Sequence, residues 1–213
     1  MIEVDKKPTS VREQLRYLVL VVGLLFGAGA LWLGLRAYGP IATYQMSSSS
    51  MEPTIHQGDV LLTFAPRNLC GLSRPAVGDV IVYRRDNTSY ISRVVAGGGQ
   101  TVSMKAGRLI VDGRPLATRV EGRRGADAGV VETVFRETQA NGASYLTLDR
   151  GPDGDLDNIG TQQIGPESWF VLGDNRDNSL DSRFVGPAPQ KDICGVVKSI
   201  ISSTEAAHVG TKP

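Results

Sequence analysis

Between Arg16 and Arg36 the chain reads YLVLVVGLLFGAGALWLGL, 19 residues without a charge. At the rise of an α-helix this run spans roughly 28 Å, close to the thickness of a bilayer's hydrocarbon core. The apolar part of a cleaved secretion signal is shorter, roughly 7–15 residues, so the length argues for a retained anchor over 17–36. Tyr17 and Trp32 stand near its ends, where interfacial aromatics belong. Lys6, Lys7, Arg12 and Arg16 precede the run, whereas beyond it Arg36 stands alone until Arg67. That bias predicts residues 1–16 in the cytoplasm and everything after 36 outside. No second run approaches this length, so a single crossing is predicted and the lipid bilayer is the first expected partner.

After Pro40 the texture changes to short apolar runs cut by Gly, Asp and Pro. Candidate strands are 59–64, 79–84, 90–95, 100–104, 108–112, 129–137, 143–149, 168–173 and 193–201, with KAG (105–107) and DG (112–113) as turn signals. The pattern predicts a mainly β, antiparallel domain over 40–113 and 167–202. The Gly-, Asp- and Arg-rich segment 114–166 reads as a smaller inserted region of β structure and loops. Arg123 and Arg124 are expected in a solvated loop there. Residues 203–213, His208 among them, have little to bury and are expected to form a flexible tail.

Composition excludes some functions. With 23 Lys and Arg against 22 Asp and Glu, the net charge of +1 gives no electrostatic reason to expect nucleic acid. Cys70 and Cys194 form no CxxC pair, and His56 and His208 are far apart in sequence, which argues against a zinc site. No cofactor is predicted. The cysteines are either two buried thiols or a disulfide, the latter only in an oxidising compartment. Oligomeric state is not legible.

Two motifs carry chemistry. In SSSSMEPTI (47–55), Pro53 fixes its own φ and restricts Glu52, so the backbone after Ser50 is stiff. Met51 and Ile55 can pack onto the sheet or the bilayer surface, leaving a serine held on a rigid segment near the membrane. In GDNRDNSLDSR (173–183), alternating carboxylates and guanidiniums can lock a polar loop at a strand end. Such loops are ordinary places for site residues.

SMEPT, GDVIVY (78–83), YISRVV (90–95) before a glycine-rich turn, and GDNRDNSLDSR follow one another behind the anchor. In that order they resemble the conserved boxes of bacterial type I signal peptidases, from the anchor to about residue 200. The resemblance implies a membrane-anchored, signal-peptidase-type antiparallel β fold. It also implies a serine endopeptidase that removes signal peptides from exported preproteins after small residues in an Ala-x-Ala pattern. By position, Ser50 is the implied nucleophile. Ser48 supplies an oxyanion-hole hydroxyl, and Ser179 orients the general base. Met51, Tyr90, Ile91 and Val94 help line the substrate cleft, and Asp174, Arg176, Asp181 and Arg183 scaffold the last box.

One position departs from the family. Its general base is a lysine in a run like YIKRV, and here Ser92 occupies that place. The Pro-Gly-Asp turn that follows the strand in the family is also replaced, by AGGGQ (96–100). A serine nucleophile needs a proton acceptor, which a buried, neutral lysine provides and a second hydroxyl does not. Lys105 and His56 are the residues weighed as substitutes. Arg93 stays protonated and cannot serve. Three functions therefore stay open: a peptidase with an unusual base, a silent paralogue that binds signal peptides or a membrane partner, and a specialised Ser–Lys maturation peptidase. The complete last box argues against the third.

Overall fold

The computed structural model describes residues 11–38, 41–65, 69–125, 129–152 and 154–213. Lys6, Lys7 and Arg67, part of the charge asymmetry, lie outside the described residues. The helix α1 (Val11–Tyr38) runs past both ends of the apolar stretch, because Arg12, Glu13, Gln14 and Leu15 are good helix formers. Its stretch Val11–Gly34 is long and apolar enough to cross a membrane, and none of it is buried by protein. Leu18, Leu24, Phe26 and Trp32 are all exposed, which is compatible with a membrane-spanning helix.

The body that follows is built from three sheets. The largest has seven strands in the order β1 (Ala42–Gln45), β2 (Val60–Thr63), β14 (Ile193–Ser202), β3 (Val80–Arg85), β4 (Thr88–Gly97), β12 (Ser168–Leu172) and β13 (Ala188–Pro189). A four-stranded sheet runs β11 (Ile159–Gln163), β5 (Thr101–Lys105), β6 (Arg108–Val111), β7 (Arg114–Pro115). A three-stranded sheet runs β10 (Ser144–Asp149), β9 (Val131–Thr138), β8 (Ala117–Gly125). The strand pairs are antiparallel, as predicted. Two-residue turns close the hairpins where the chain enters left-handed conformation, at Asp86–Asn87, Ala106–Gly107 (φ 48° and 74°) and Asp112–Gly113 (φ 50° and 73°).

All the predicted runs are strands, with ends within two residues. The strands β1, β7, β8, β11 and β13 were not predicted, and each is an edge strand of its sheet. Edge strands are short or polar on both faces and carry little alternation to read.

The central strands are buried on both faces. On β3, Val80 and Val82 pack with Met51, Ile55 and Leu61, whereas Ile81 and Tyr83 point the other way, toward Val94, Val171 and Ile193. The strand β4 divides likewise, with Ile91 on the first side and Tyr90 and Val94 on the second. Cys70 and Cys194 are joined by a disulfide that closes 124 residues of chain.

The C-terminal segment, expected to be frayed, folds back on β14. Gly210 N–H donates to the Ile200 carbonyl (2.7 Å), Ile200 N–H to the Thr211 carbonyl (3.0 Å), and Lys212 pairs with Asp79 (3.2 Å). His208, expected to be solvated, packs its ring on that of His56 with centroids 4.5 Å apart. Distance along the sequence concealed this pairing, because both termini of the β body return to one strand group.

Candidate active site

The serine loop is shaped by its own turns. Glu52 N–H donates to the Ser49 carbonyl (3.1 Å), and Thr54 and Ile55 N–H both donate to the Met51 carbonyl (3.0 Å each). Met51 and Ile55 have no exposed surface and anchor the loop in the core. Ser48 and Ser50 stay at the surface side, with Ser50 half-buried. Their hydroxyls are 3.2 Å apart, and either can donate.

The loop 173–183 grips the serine loop from the other side. Asn175 N–H donates to the Ser50 carbonyl (3.0 Å) and its Nδ2 to the Ser49 carbonyl (3.2 Å), while Asn178 Nδ2 donates to Ser49 Oγ (2.8 Å). Gly173 lies between the two loops. A methyl group on it would sit 2.2 Å from Ser179 Oγ, 2.4 Å from Ser179 Cβ and 2.6 Å from the Ser50 carbonyl oxygen. Ser50 and Ser179 therefore meet across the bare face of this glycine. Leu172 pairs with Arg93 in the sheet, so Gly173, one step on, stands level with Ser92.

Three buried guanidinium–carboxylate pairs hold that loop. Arg93 forks onto Asp174 (2.8 and 2.6 Å), donates to the Gly78 carbonyl (2.8 Å) and lies over the Tyr145 ring. Arg176 forks onto Glu137 of β9 (2.5 and 2.6 Å). Arg183 pairs with Asp181 (2.9 Å) and donates to the Arg176 carbonyl. Burial alone would weaken the proton affinity of Arg93 and Arg176. The facing carboxylates of Asp174 and Glu137 more than offset it, and both guanidiniums are held above their ordinary range. Asp181 also caps the short helix α2 (Ser182–Val185) and accepts from Gly173 N–H (3.0 Å). The scaffold residues Asp174, Arg176, Asp181 and Arg183 thus act through the backbone that carries Ser50 and Ser179.

Ser92 is 2 % exposed and pairs across the sheet with Ile81. Its hydroxyl lies by the phenol of Tyr83, short of a full hydrogen bond. Burial, opposed by Ser92 and reinforced by Asp181, pushes the Tyr83 phenol up to about 12. Neither group accepts a proton near neutrality. Among the described residues, no lysine or histidine nitrogen is hydrogen-bonded to Ser50 Oγ. Lys105 is exposed at the end of β5, and His56 is engaged with His208 and Glu205. The expected cleft residues divide. Tyr90 and Ile91 are half-buried and face opposite sides of β4, while Met51 and Val94 are fully buried. Met51 and Val94 therefore expose no side-chain surface to a ligand. A cavity of about 470 Å³ opens beside Ser179, lined by Arg150, Leu156, Asp177 and Phe184; Ser50 is not among its walls.

Sequence reading missed several supports. Arg124, expected in a solvated loop, lies in β8 and bridges Glu52 of the serine loop (2.6 Å) and buried Glu132 (3.0 Å). Glu132 also takes Arg150 (3.2 Å). Glu132 and Glu137 are buried acids in an ordinary strand, and only their partners' positions reveal why. A glycine heading the polar box was the available signal for Gly173.

The arrangement joins a paired-hydroxyl serine, a polar clamp and a second, buried serine on the adjoining strand. The signal peptidase, peptidase S26 family model matches residues 15–202. Signal peptidase I S of Bacillus subtilis is 29% identical over 161 residues, covering 75% of this chain and 76% of that protein. Signal peptidase I of Pseudomonas aeruginosa is 33% identical over 172 residues, covering 74% of this chain and 60% of that protein. A Staphylococcus aureus protein named inactive signal peptidase IA is 30% identical over 162 residues, covering 73% and 75%. A crystal structure of a signal peptidase I from Enterococcus faecalis aligns with 58% of this chain and 97% of its own at 22% identity, with a TM-score of 0.37. Matched from the apolar helix to the last strand, this chain belongs to the signal peptidase I family.

Proposed function

We propose that the chain is a membrane-anchored endopeptidase of the signal peptidase I type. It binds the signal peptides of exported preproteins and cuts them slowly after small residues, with Ser50 as nucleophile. Ser48 supplies a hydroxyl to the developing oxyanion, and Ser179 occupies the position that would orient a base. The observation that carries this reading is the surroundings of Ser50 Oγ, where Ser48 is the side-chain partner and, among the described residues, no basic group is hydrogen-bonded to it. Attack on an amide without a positioned proton acceptor is slowed by roughly 10²–10⁴-fold. The basic residues before the apolar run support a cytoplasmic N-terminus, and the disulfide supports a β domain in an oxidising, extracytoplasmic space at the bacterial inner membrane.

The test compares the natural chain, Ser50→Ala and Ser92→Lys on one exported precursor in detergent or vesicles. The natural chain is expected to cleave weakly, Ser50→Ala not at all, and Ser92→Lys faster by on the order of 10²–10⁴-fold. Ordinary family rates for the natural chain, or no gain from Ser92→Lys, refute the proposal. A second reading, a silent protein that holds signal peptides without cutting, is favoured by a relative named inactive. It predicts equal peptide binding and zero turnover for the natural chain and Ser50→Ala.

A further inference from the structure

The protein has two histidines, and the fold brings both to one place. His56 leaves the serine loop, and its backbone N–H is held by Asp59 Oδ2 (2.9 Å). His208 sits in the 3-10 turn Ala206–His208 after β14, 152 residues away in sequence. Their Nδ1 atoms are 3.1 Å apart. On the opposite ring edges the Glu205 carboxylate spreads over both Nε2 atoms. Oε1 lies 3.8 Å from His56 and Oε2 lies 3.5 Å from His208. Behind the rings stands Asp59, fully buried, with Oδ2 4.0 Å from His208 Nδ1 and Oδ1 without a hydrogen-bond partner.

Among the described residues this cluster pairs with no lysine or arginine. It brings together two imidazoles and two carboxylates. One donor atom from each of His56, Glu205 and His208 can be chosen with all three within 4.8 Å of one another. A tetrahedral zinc ion with ligands near 2.05 Å separates neighbouring donors by about 3.3 Å. The 3.5 and 3.8 Å separations run to different Glu205 oxygens, one to each ring, so the carboxylate and the rings must turn to bring one oxygen and both nitrogens onto a shared ion. Two neutral imidazoles and a carboxylate are the donor set that suits zinc and its first-row neighbours.

We infer that His56, His208 and Glu205 form a binding site for a divalent transition-metal ion of the zinc class, with Asp59 orienting the rings from behind. The ion takes Nε2 of both histidines and a Glu205 oxygen. Both Nδ1 atoms then carry hydrogen, so their 3.1 Å contact must open and the His208 N–H turns toward Asp59, whose Oδ1 has no hydrogen-bond partner, the usual kind of support behind a ligating histidine. The histidine side chains are 21% and 23% exposed and that of Glu205 is 58% exposed, which leaves a position for water and a path for the ion. The site staples the C-terminal segment to the stretch that follows the serine loop. It is independent of the proposed cleavage and does not involve Ser50.

Full-length protein in detergent is titrated with Co²⁺ and then Zn²⁺. The expected result is one Co²⁺ per chain, with the visible absorption of a four-coordinate ion that Zn²⁺ bleaches, and a higher unfolding temperature with Zn²⁺. His56→Ala and His208→Ala should each weaken binding on the order of 100-fold or more, while keeping the circular dichroism of the fold. Asp59→Asn should weaken it by about 10–100-fold, as removal of a support behind a ligand does. Glu205→Gln should lower affinity and alter the absorption bands. Absence of stoichiometric binding overturns the inference, as does binding that survives loss of both histidines. An unfolding temperature that follows pH but not Zn²⁺ does so too, since that is the behaviour of a histidine–carboxylate cluster alone.

Discussion

Replacing Gly173 by alanine tests the site with a single methyl group. That carbon would sit 2.6 Å from the Ser50 carbonyl oxygen and 2.4 Å from Ser179 Cβ. Ordinary contacts are about 3.5 Å, so the two serines must retreat by roughly 1 Å. Ser179 Oγ can rotate away, but a β-carbon and a backbone carbonyl cannot. The Ser50 carbonyl also accepts from Asn175, so its retreat strains the clamp between the loops. Overpacking of this kind costs about 1–3 kcal/mol, equivalent to a fall in melting temperature of roughly 2–12 °C for a body of this size. A misplacement of about 1 Å at reacting groups costs on the order of 100-fold in rate. The assays are thermal unfolding by circular dichroism and preprotein cleavage in the Ser92→Lys background. Gly160→Ala, where nothing lies within 4 Å, is the control. If Gly173→Ala melts with Gly160→Ala and cleavage is unchanged, Ser50 and Ser179 do not meet over this residue and the site geometry is wrong.

Other outcomes follow from the same structure. Glu137→Gln leaves the buried Arg176 guanidinium without its counter-charge and should destabilise the protein by about 3–5 kcal/mol, measured by urea unfolding. Cys70→Ser with Cys194→Ser opens a loop of 124 residues and should cost about 5 kcal/mol by the chain-entropy argument, with reductant mimicking it in the natural chain. Asp149 is held above its ordinary carboxylate range by burial, against a hydrogen bond from Gly151 and with repulsion from Asp177 and Asp157. Its folded form binds a proton more tightly than its unfolded form. Its contribution is therefore favourable below the unfolded value and is lost as pH rises through the folded one. Asp149→Asn should accordingly gain in melting temperature over the natural chain between acid and neutral pH, and an unchanged difference across that range would refute the assignment.

What could be read in advance had a local cause. The 19 uncharged residues 17–35 announced a helix long enough to cross a membrane, the form in which so long an apolar run satisfies its backbone polar groups within the segment. The central strands announced themselves through β-branched, apolar runs between glycine and aspartate turns. The serine loop and the polar box were recognisable as contiguous motifs, and the departure at Ser92 was visible as a single residue. The edge strands β1, β7, β8, β11 and β13 left no such trace, since half of each is turned away from the core.

Tertiary structure alone decided the partners. Glu137 of β9 meets Arg176, Arg124 of β8 meets Glu52, and His56 meets His208 across 152 residues. A charged side chain has the same letter whether it is solvated or buried against its opposite. Only the path of the sheets determines which of the two environments it occupies. The same holds at position 92: the chain shows that a hydroxyl stands there, while packing shows that it faces Tyr83 in a dry interior with no basic nitrogen bonded to Ser50 among the described residues. Chain-local chemistry sets which groups exist and what backbone they favour, and long-range packing sets the dielectric and the neighbours that determine what those groups can do.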